Sequence, residues 1–371
     1  MTVGPRLKVG VIGAGMIAQI MHLPYLRELE EHFDLRALCD ASRSVVDGCG
    51  RRFGVERLFT DWRELLEEDL DAVLVLTSGS HAPVAVAAAE AGMHVLVEKP
   101  MCYSVAEGAG MIEAASAAGV VLMVGYPKRY DPAYRRVRDE VRGLGDLRFV
   151  RLTTMESPFQ PYVAHYRLLR GDDVAPELVE QWRADSDRRV DEAIGEVSEL
   201  ERRSYAGVLL DTMVHEFNLL RGVLGEPTEL KFVSLCESTT TVVLDFDGVD
   251  CVVAWLDLPG IARYEMEVCF YDPAERVRLA FPSPYLKNAP RLVDIETGEL
   301  AGPASAAQRE LVSYEEPFKL ELLEFHRAIA DGVAPLTSGA DGLRDIALCQ
   351  NVIASSSSSS AIAFPTAVTA P

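Results

Sequence analysis

Through the first third of the chain, short continuously apolar runs alternate with stretches of helical spacing. Leu7–Ile12, Leu35–Cys39, Ala72–Leu76, His94–Val97 and Val120–Val124 are predicted as strands. Between them Met16–Glu30, Ser44–Phe53, Trp62–Glu68, His81–Ala91 and Ser104–Ala118 have the spacing of helices, and Gly92 closes one of them. Strands that are apolar on both faces and separated by helices predict a parallel sheet covered on both sides. With right-handed crossovers this is a doubly wound α/β domain.

The pattern changes after about residue 145. Leu147–Met155 reads as a strand, and residues 156–206 are charged and mostly helical. Gly207–Leu224 is a strongly amphipathic helix. Leu230–Glu237, Thr240–Phe246, Cys251–Leu258, Tyr264–Tyr271 and Glu275–Ala280 follow as strands, with a turn signal at Asp247-Gly248. Strands without intervening helices predict a mainly antiparallel open sheet, hence a second domain of α+β type. Helices near Pro317–Ala330 and Gly342–Ala354 close the pattern, and Ser355–Ser360 reads as a frayed helix end. The expected division is residues 1–127 and 128–371, with a helical insert at about 160–205.

Composition narrows the partners. A length of 371 residues allows about two domains, and 49% hydrophobic residues allow a sizeable core. Fifty-seven acidic residues against 36 basic leave a net charge of −21. Such a chain is a poor ligand for nucleic acid or an anionic membrane surface. No segment reaches the ~18 uncharged apolar residues of a membrane helix, and the first apolar run is broken by glycines, unlike a signal peptide. Seven scattered cysteines without CxxC spacing fit buried thiols in a reduced, cytoplasmic setting. No metal site is expected, since His215-Glu216 lacks the second histidine of a zinc protease.

Three motifs carry chemistry. Gly13-Ala14-Gly15-Met16-Ile17-Ala18 follows a predicted strand and opens a predicted helix, as a dinucleotide-binding turn requires. Its glycines allow the backbone to approach a pyrophosphate, and the helix start supplies amide donors. Asp40, 22 residues after Ala18, stands where a carboxylate would accept hydrogen bonds from the adenosine ribose. That favours NAD over NADP, while Arg43 could either cover the adenine or neutralise a phosphate. Glu98-Lys99-Pro100 follows a strand end, where ligands of open parallel sheets sit; taken alone it is equally a surface lysine before a turn. Asp211 and His215, four residues apart, share a helix face beside the apolar Leu210, Val214 and Phe217. A carboxylate-held histidine can take a proton from an alcohol, although such a pair is also common on helix surfaces.

Together the motifs resemble the Gfo/Idh/MocA oxidoreductases, the family of glucose–fructose oxidoreductase and inositol dehydrogenase. VIGAGMIAQIMHLPYL resembles the family's first turn and helix, and HAPVAVAAAEAGMHVLVEKP the run up to its lysine. GYPKRYDPAY resembles the crossover into its second domain, and GVLLDTMVHEFNLLRGVLG its catalytic helix. The resemblance implies a Rossmann domain followed by an antiparallel-sheet domain, with hydride transfer between a nicotinamide and a hydroxyl-bearing carbon of a sugar, cyclitol or related polyol. It implies Lys99, Asp211 and His215 as catalytic residues. His215 would be the general acid/base, Asp211 would bind the substrate hydroxyl or orient the histidine, and Lys99 would contact the reacting oxygen and the nicotinamide ribose. The Lys99–Pro100 bond is often cis in relatives. Gly13, Gly15, Met16, Ile17, Asp40, Arg43, Thr77, His81, Glu98 and Lys99 would hold the cofactor, with Thr77 and His81 on the nicotinamide side. Tyr126, Lys128 and Arg129 would meet substrate at the cleft entrance.

Two rival readings stand beside this one: an NAD-dependent glycosidase acting through transient oxidation, and a cofactor-binding regulator without catalysis. A homo-oligomer, dimer or tetramer, is expected because the second sheet's outer face needs a cover. The sequence departs from the family at Thr77-Ser78-Gly79-Ser80-His81, one residue shorter than usual and without its proline and asparagine. It also departs in the long charged stretch after Trp182-Arg183, which could shape a pocket, form a subunit contact or be a solvated excursion. His32, His94 and His326 read as structural; His22 is expected at the cleft, and His165 has no assigned place.

Overall fold

The computed structural model describes residues 4–300, 302 and 304–356. Six parallel strands form the first sheet: β1 (Leu7–Ile12), β2 (Phe33–Cys39), β3 (Arg57–Phe59), β4 (Ala72–Val75), β5 (His94–Glu98) and β6 (Leu122–Gly125). Their order is β3-β2-β1-β4-β5-β6. The chain order reverses between β1 and β4, the switch point where doubly wound sheets bind ligands. Val73, Leu74, Val75, Val95, Leu96 and Val97 are all fully buried, as a sheet covered on both faces demands.

The second sheet has eight strands: β7 (Phe149–Glu156), β8 (Glu229–Leu235), β9 (Thr239–Phe246), β10 (Val249–Asp257), β11 (Glu265–Tyr271), β12 (Glu275–Phe281), β13 (Leu292–Gly298) and β14 (Ser305–Leu311). Their order is β14-β13-β12-β11-β7-β10-β9-β8. Every pairing is antiparallel except that of β10 with β7. β10 alternates strictly: Cys251, Val253 and Trp255 point to the core and their neighbours point outward.

The expected outer cover is needed only in part. One cross-strand row runs Phe232, Val243, Val252, Arg151, Cys269, Arg278, Asp294, Arg309. Its first half is apolar. Its second half carries ion pairs that step across five strands: Arg151–Glu267 at 2.6 Å, Glu267–Arg278 at 2.7 Å, Arg278–Asp294 at 2.9 Å and Asp294–Arg309 at 2.6 Å. An antiparallel sheet with such a face can meet water directly.

Several elements differ from expectation. The first helix region ends at Glu28 and contains a π-helical turn over Ala18–His22. The helix expected at Gly207–Leu224 is π-helical over Tyr205–Met213 and α-helical over Val214–Leu224. Apolar periodicity cannot distinguish these windings, and π turns concentrate at functional sites. β3, β13, β14 and the helix Pro132–Val141 have no counterpart in the sequence reading. β14 is exposed along nearly its whole length, so no apolar alternation marks it. Asp131 caps the helix Pro132–Val141 by accepting from the Ala133 amide at 2.8 Å.

The chain crosses back after the second sheet. Helices Pro317–Ala330 and Gly339–Ser356 both pack against the first-sheet part. Between them the Thr337 carbonyl accepts from the Val124 amide at 2.8 Å. Phe325, with no exposed surface, sits in the same core cluster as Val9, Leu26 and Phe33. Burying a phenylalanine of this kind contributes roughly 1.5–3 kcal/mol. Ser355 and Ser356 lie in the last helix; the rest of the serine run lies outside the described residues. Of the seven cysteines, six are buried and Cys236 is exposed. Among the described residues, no group of His, Cys, Asp or Glu is arranged to hold a metal ion, and no helix is long and apolar enough to cross a membrane.

Candidate active site

A cavity of about 740 Å³ lies beyond the carboxyl ends of β1, β4 and β5 and reaches the inner face of the second sheet. Gly15, Met16 and Ile17 form one wall; Thr77, His81, Glu98 and Lys99 form the floor; Lys128, Asp211 and His215 stand opposite. Residues widely separated in sequence thus converge on one space.

The glycine turn fits a pyrophosphate. At Gly13 φ is +97°, and a Cβ there would stand 2.7 Å from the Leu76 carbonyl carbon, so only glycine is accommodated. At Gly15 a Cβ would meet nothing within 4 Å, although the residue lines the cavity. The open space beside Gly15, at a helix start, has room for a phosphate. Gly13 itself does not line the cavity; it packs the turn against β4 instead.

The adenosine side is built differently from expectation. Asp40 lies outside the cavity and accepts from the Ala14 amide at 2.8 Å and the Ser42 amide at 2.9 Å, bracing the turn. Arg43 is exposed and pairs with Asp47 at 3.0 Å.

β5 delivers Glu98 and Lys99. Glu98 is buried, with Oε1 2.8 Å from His22 Nε2 and Oε2 accepting the Lys99 amide at 3.1 Å. His22 is therefore not at the cleft: it is fully buried behind Glu98. Burial raises the Glu98 pKa, but the opposing pull of His22, Lys99 and His81 leaves it below its ordinary value. The Lys99–Pro100 bond is cis. Lys99 Nζ reaches across the cavity and donates to Asp211, at 2.9 Å to Oδ1 and also to its carbonyl.

His81 lines the cavity, yet its ring is clamped between the Thr77 carbonyl at 2.7 Å and the Pro100 carbonyl at 2.8 Å. It ties the shortened loop to the lysine turn and has no ring nitrogen left for a ligand. Burial outweighs these two carbonyls and lowers its pKa.

His215 presents a different environment. Its pKa is held well below 6.5 by burial, with Lys128 and Lys99 adding positive charge nearby. Its Nδ1 is buried without a hydrogen-bond partner among the described residues, and Asp211 is engaged with Lys99 rather than orienting the ring. Burial likewise pushes Lys128 down to about 8 despite Glu216 and Glu156.

Two expected substrate residues lie elsewhere. Tyr126 is 1% exposed and packs edge-on beneath the His215 ring at 5.8 Å, with its hydroxyl turned away into the interior. Arg129 donates to the Asn218 carbonyl and Oδ1, both at 3.0 Å, and stands 3.5 Å from Asp341. Both follow β6 and serve the seam between the two parts of the chain. The cavity instead contains residues the sequence did not mark: Trp255, Tyr264, Phe281, Tyr285 and Arg291. The inward positions of β10 and β12 could have pointed to Trp255 and Phe281; Arg291 lies in a loop and had no signal. Arg291 is fixed by Asp131 at 2.8 Å. The remaining histidines are structural where placed: His94 Nδ1 accepts the Val121 amide at 2.9 Å, and His326 sits 2.8 Å from the Pro5 carbonyl with its ring against His32. His165 stacks on Tyr166 at 4.2 Å.

The charged insert contains helices Gln160–Val163, Pro176–Ile194 and Glu199–Ser204. Arg189 of the longest pairs with Glu107 of the first-sheet part at 2.5 Å. The insert is thus docked on the body of the protein rather than projecting from it.

A doubly wound sheet with an open glycine cradle at its switch point, facing a lysine and a neutral histidine, defines an NAD(P)-binding oxidoreductase. Comparison with known proteins agrees. Residues 7–126 match the Gfo/Idh/MocA model, described as an oxidoreductase family with an NAD-binding Rossmann fold. It is 25% identical to a myo-inositol 2-dehydrogenase of Thermotoga maritima over 344 residues, covering 91% of this chain and 92% of the relative. The fold is shared with a 3-ketoreductase from Actinomadura kijaniata in complex with NADP, at 21% identity and a TM-score of 0.70, over 93% of this chain and 96% of the other. It is also shared with a levoglucosan dehydrogenase in complex with NADH, at 19% identity and a TM-score of 0.71, over 95% and 97%.

Proposed function

We propose that the protein is an NAD-dependent dehydrogenase or reductase. It would move a hydride between nicotinamide C4 and a carbon bearing a hydroxyl, on a sugar, cyclitol or related polyol. The observation that carries this reading is the convergence of Lys99, Asp211 and His215 on the cavity whose far wall is the Gly15–Ile17 turn. The bound nicotinamide supplies the hydride acceptor or donor, and the protein's residues handle the proton and the charge.

In the oxidative direction His215 is the base. Its neutral imidazole is ready to accept the hydroxyl proton because burial and two nearby lysines disfavour the charged form. Lys99 stabilises negative charge developing on the same oxygen. Asp211 keeps the Lys99 side chain extended over the cavity floor, and Lys128 is a further donor for substrate hydroxyls. Aromatic faces such as Trp255 and Tyr264 suit the apolar face of a sugar or cyclitol ring. NAD rather than NADP is favoured by Asp40 at the end of β2 and by the diversion of Arg43 to Asp47. We place the boundary between the nucleotide and substrate parts near residue 127. We also assign an oligomeric contact to the apolar row Phe232, Val243 and Val252; Phe232→Asp should then lower the mass measured by light scattering.

The test is formation of reduced nicotinamide, followed by its absorbance, across a panel of sugars, cyclitols and nucleotide sugars with NAD. Turnover with one class supports the reading. Absence of any net reduction alongside glycoside cleavage would replace it with the transient-oxidation reading.

A further inference from the structure

Residues 166–173, in the insert, pack against the first two βα connections, at Gln19 and at Ser42–Ser44. Gln19, 6% exposed and one helical turn past the glycine motif, fixes this strap. Its side-chain amide donates to the Leu169 carbonyl at 3.0 Å, its Oε1 accepts the Leu169 amide at 2.8 Å, and Nε2 also bonds the Ala14 carbonyl at 2.8 Å. Arg52 Nη2 donates to the Arg167 carbonyl at 2.7 Å. Leu169 rests so close to the helix Arg43–Phe53 that a Cβ on Gly48 would stand 2.7 Å from its Cδ1. A Cβ on Gly171 would overlap Ser42 Oγ, at 1.9 Å.

The strap ends by seating a carboxylate. Asp173 Oδ1 accepts from Ser42 Oγ at 2.5 Å and Ser44 Oγ at 3.0 Å, and Oδ2 accepts the Ser44 amide at 2.8 Å. These bonds hold its pKa down at about 2. Ser42 is thus bracketed: Asp40 takes its amide and Asp173 its hydroxyl. In a doubly wound domain the adenosine ribose lies at this end of β2. A 2′-hydroxyl can donate to a carboxylate there, whereas a 2′-phosphate needs donors and cations. Here the hydroxyls and the amide are already engaged by a carboxylate, and Arg43 is turned to Asp47.

We infer that Asp173, reaching over from the charged insert, is a cofactor-specificity residue that occupies the 2′-phosphate position and excludes NADP(H). The inference rests on the dinucleotide reading above and deepens it: discrimination is shared between Asp40 on β2 and a carboxylate more than 130 residues away. The insert thereby acquires a task that is neither solvation nor subunit contact.

The test is direct binding of NADH and NADPH to the full chain, by nicotinamide fluorescence or calorimetry, in wild type, Asp173→Asn and Asp173→Ser. Asparagine keeps one oxygen to accept from the Ser42 and Ser44 hydroxyls while losing the charge and the acceptor of the Ser44 amide; serine loses the charge and most of the reach. Both variants should bind NADPH about tenfold more tightly or better, the scale of removing one close like-charge contact, with NADH affinity changed less than about threefold. The wild-type preference for NADH should shrink with added salt, because the exclusion is electrostatic. Asp40→Ser should instead weaken NADH. An unchanged NADPH-to-NADH ratio in both Asp173 variants, or parallel shifts for the two cofactors, would reduce Asp173 to an anchor of the strap and overturn the proposal. Equal wild-type affinity for the two cofactors would overturn it as well. Wild-type protein that binds neither cofactor would sink the dinucleotide reading itself, a separate failure.

Discussion

Lys99 Nζ donates to Asp211 Oδ1 at 2.9 Å and also to the Asp211 carbonyl, so the end of β5 is tied to the π-helical segment Tyr205–Met213 across the cavity. The lysine is 19% exposed in its side chain and the aspartate 67%. An exposed ion pair is worth little to stability. Its value here is geometric: it holds a cationic donor over the cavity floor, beside a histidine that is kept neutral.

Lys99→Ala should therefore reduce turnover by about 10²–10³-fold or more, the scale of removing one charge-stabilising donor at a reacting oxygen. NADH affinity should stay nearly unchanged, because on the reading proposed above the Gly15 turn and not the lysine holds the phosphates. Steady-state kinetics paired with fluorescence titration separates the two quantities. A Lys99→Ala protein with near wild-type turnover would refute the assignment.

Asp211→Asn should act more mildly. The Asp211 carbonyl still accepts from Lys99, so the lysine keeps one anchor. We expect kcat to fall by roughly tenfold, about 1.4 kcal/mol of transition-state stabilisation. A larger loss, equal to that of His215→Ala, would mean that Asp211 itself handles the proton.

The pH profile follows from the two buried bases. His215 is held well below its ordinary 6.5, so it is neutral through the neutral range, and the acidic limb of kcat/KM for oxidation should fall below that value. Lys128 titrates at about 8 when folded and at 10.5 when exposed. Between those values the unfolded chain holds more protons, so on this group's account stability rises as pH rises through that window. The stability difference between wild type and Lys128→Met, from denaturant melts at several pH values, should therefore move in favour of wild type from about 8 upward. A flat difference would place Lys128 in a better-solvated setting than its burial implies.

The two glycines of the turn should separate folding from binding. Gly13→Ala places a Cβ 2.7 Å from backbone in a residue at φ +97°, and should destabilise by about 1–3 kcal/mol. At Gly15 the Cβ meets nothing within 4 Å, so Gly15→Ala should leave stability within about 0.5 kcal/mol. It should nonetheless weaken NADH binding by about tenfold or more, because the methyl enters the phosphate cradle. Thermal melts and cofactor titration of both variants check this; equal destabilisation by both would show that Gly15 is also a packing glycine.

What the sequence determined by itself is what local physics encodes. The continuously apolar strands called for a sheet buried on both faces, and the glycine motif called for a tight turn between strand and helix, which Gly13 makes at φ +97°. The lysine at a strand end and the Asp211–His215 spacing are local in the same sense, and all three reach the cavity. Only the tertiary structure decided the rest. Tyr126 and Arg129 lie within two residues of Lys128, yet Tyr126 is buried and Arg129 turns into the seam, where Asn218 and Asp341 meet it. His22 left the cleft to hold Glu98, 76 residues away. Arg291 and the aromatic wall come from a loop and strands whose inward faces read as ordinary core. Asp173 reaches Ser42 across 131 residues. Periodicity over a few turns carries no information about such pairings. They are selected by which buried donors and acceptors would otherwise be left without partners once the two sheets close on one cavity.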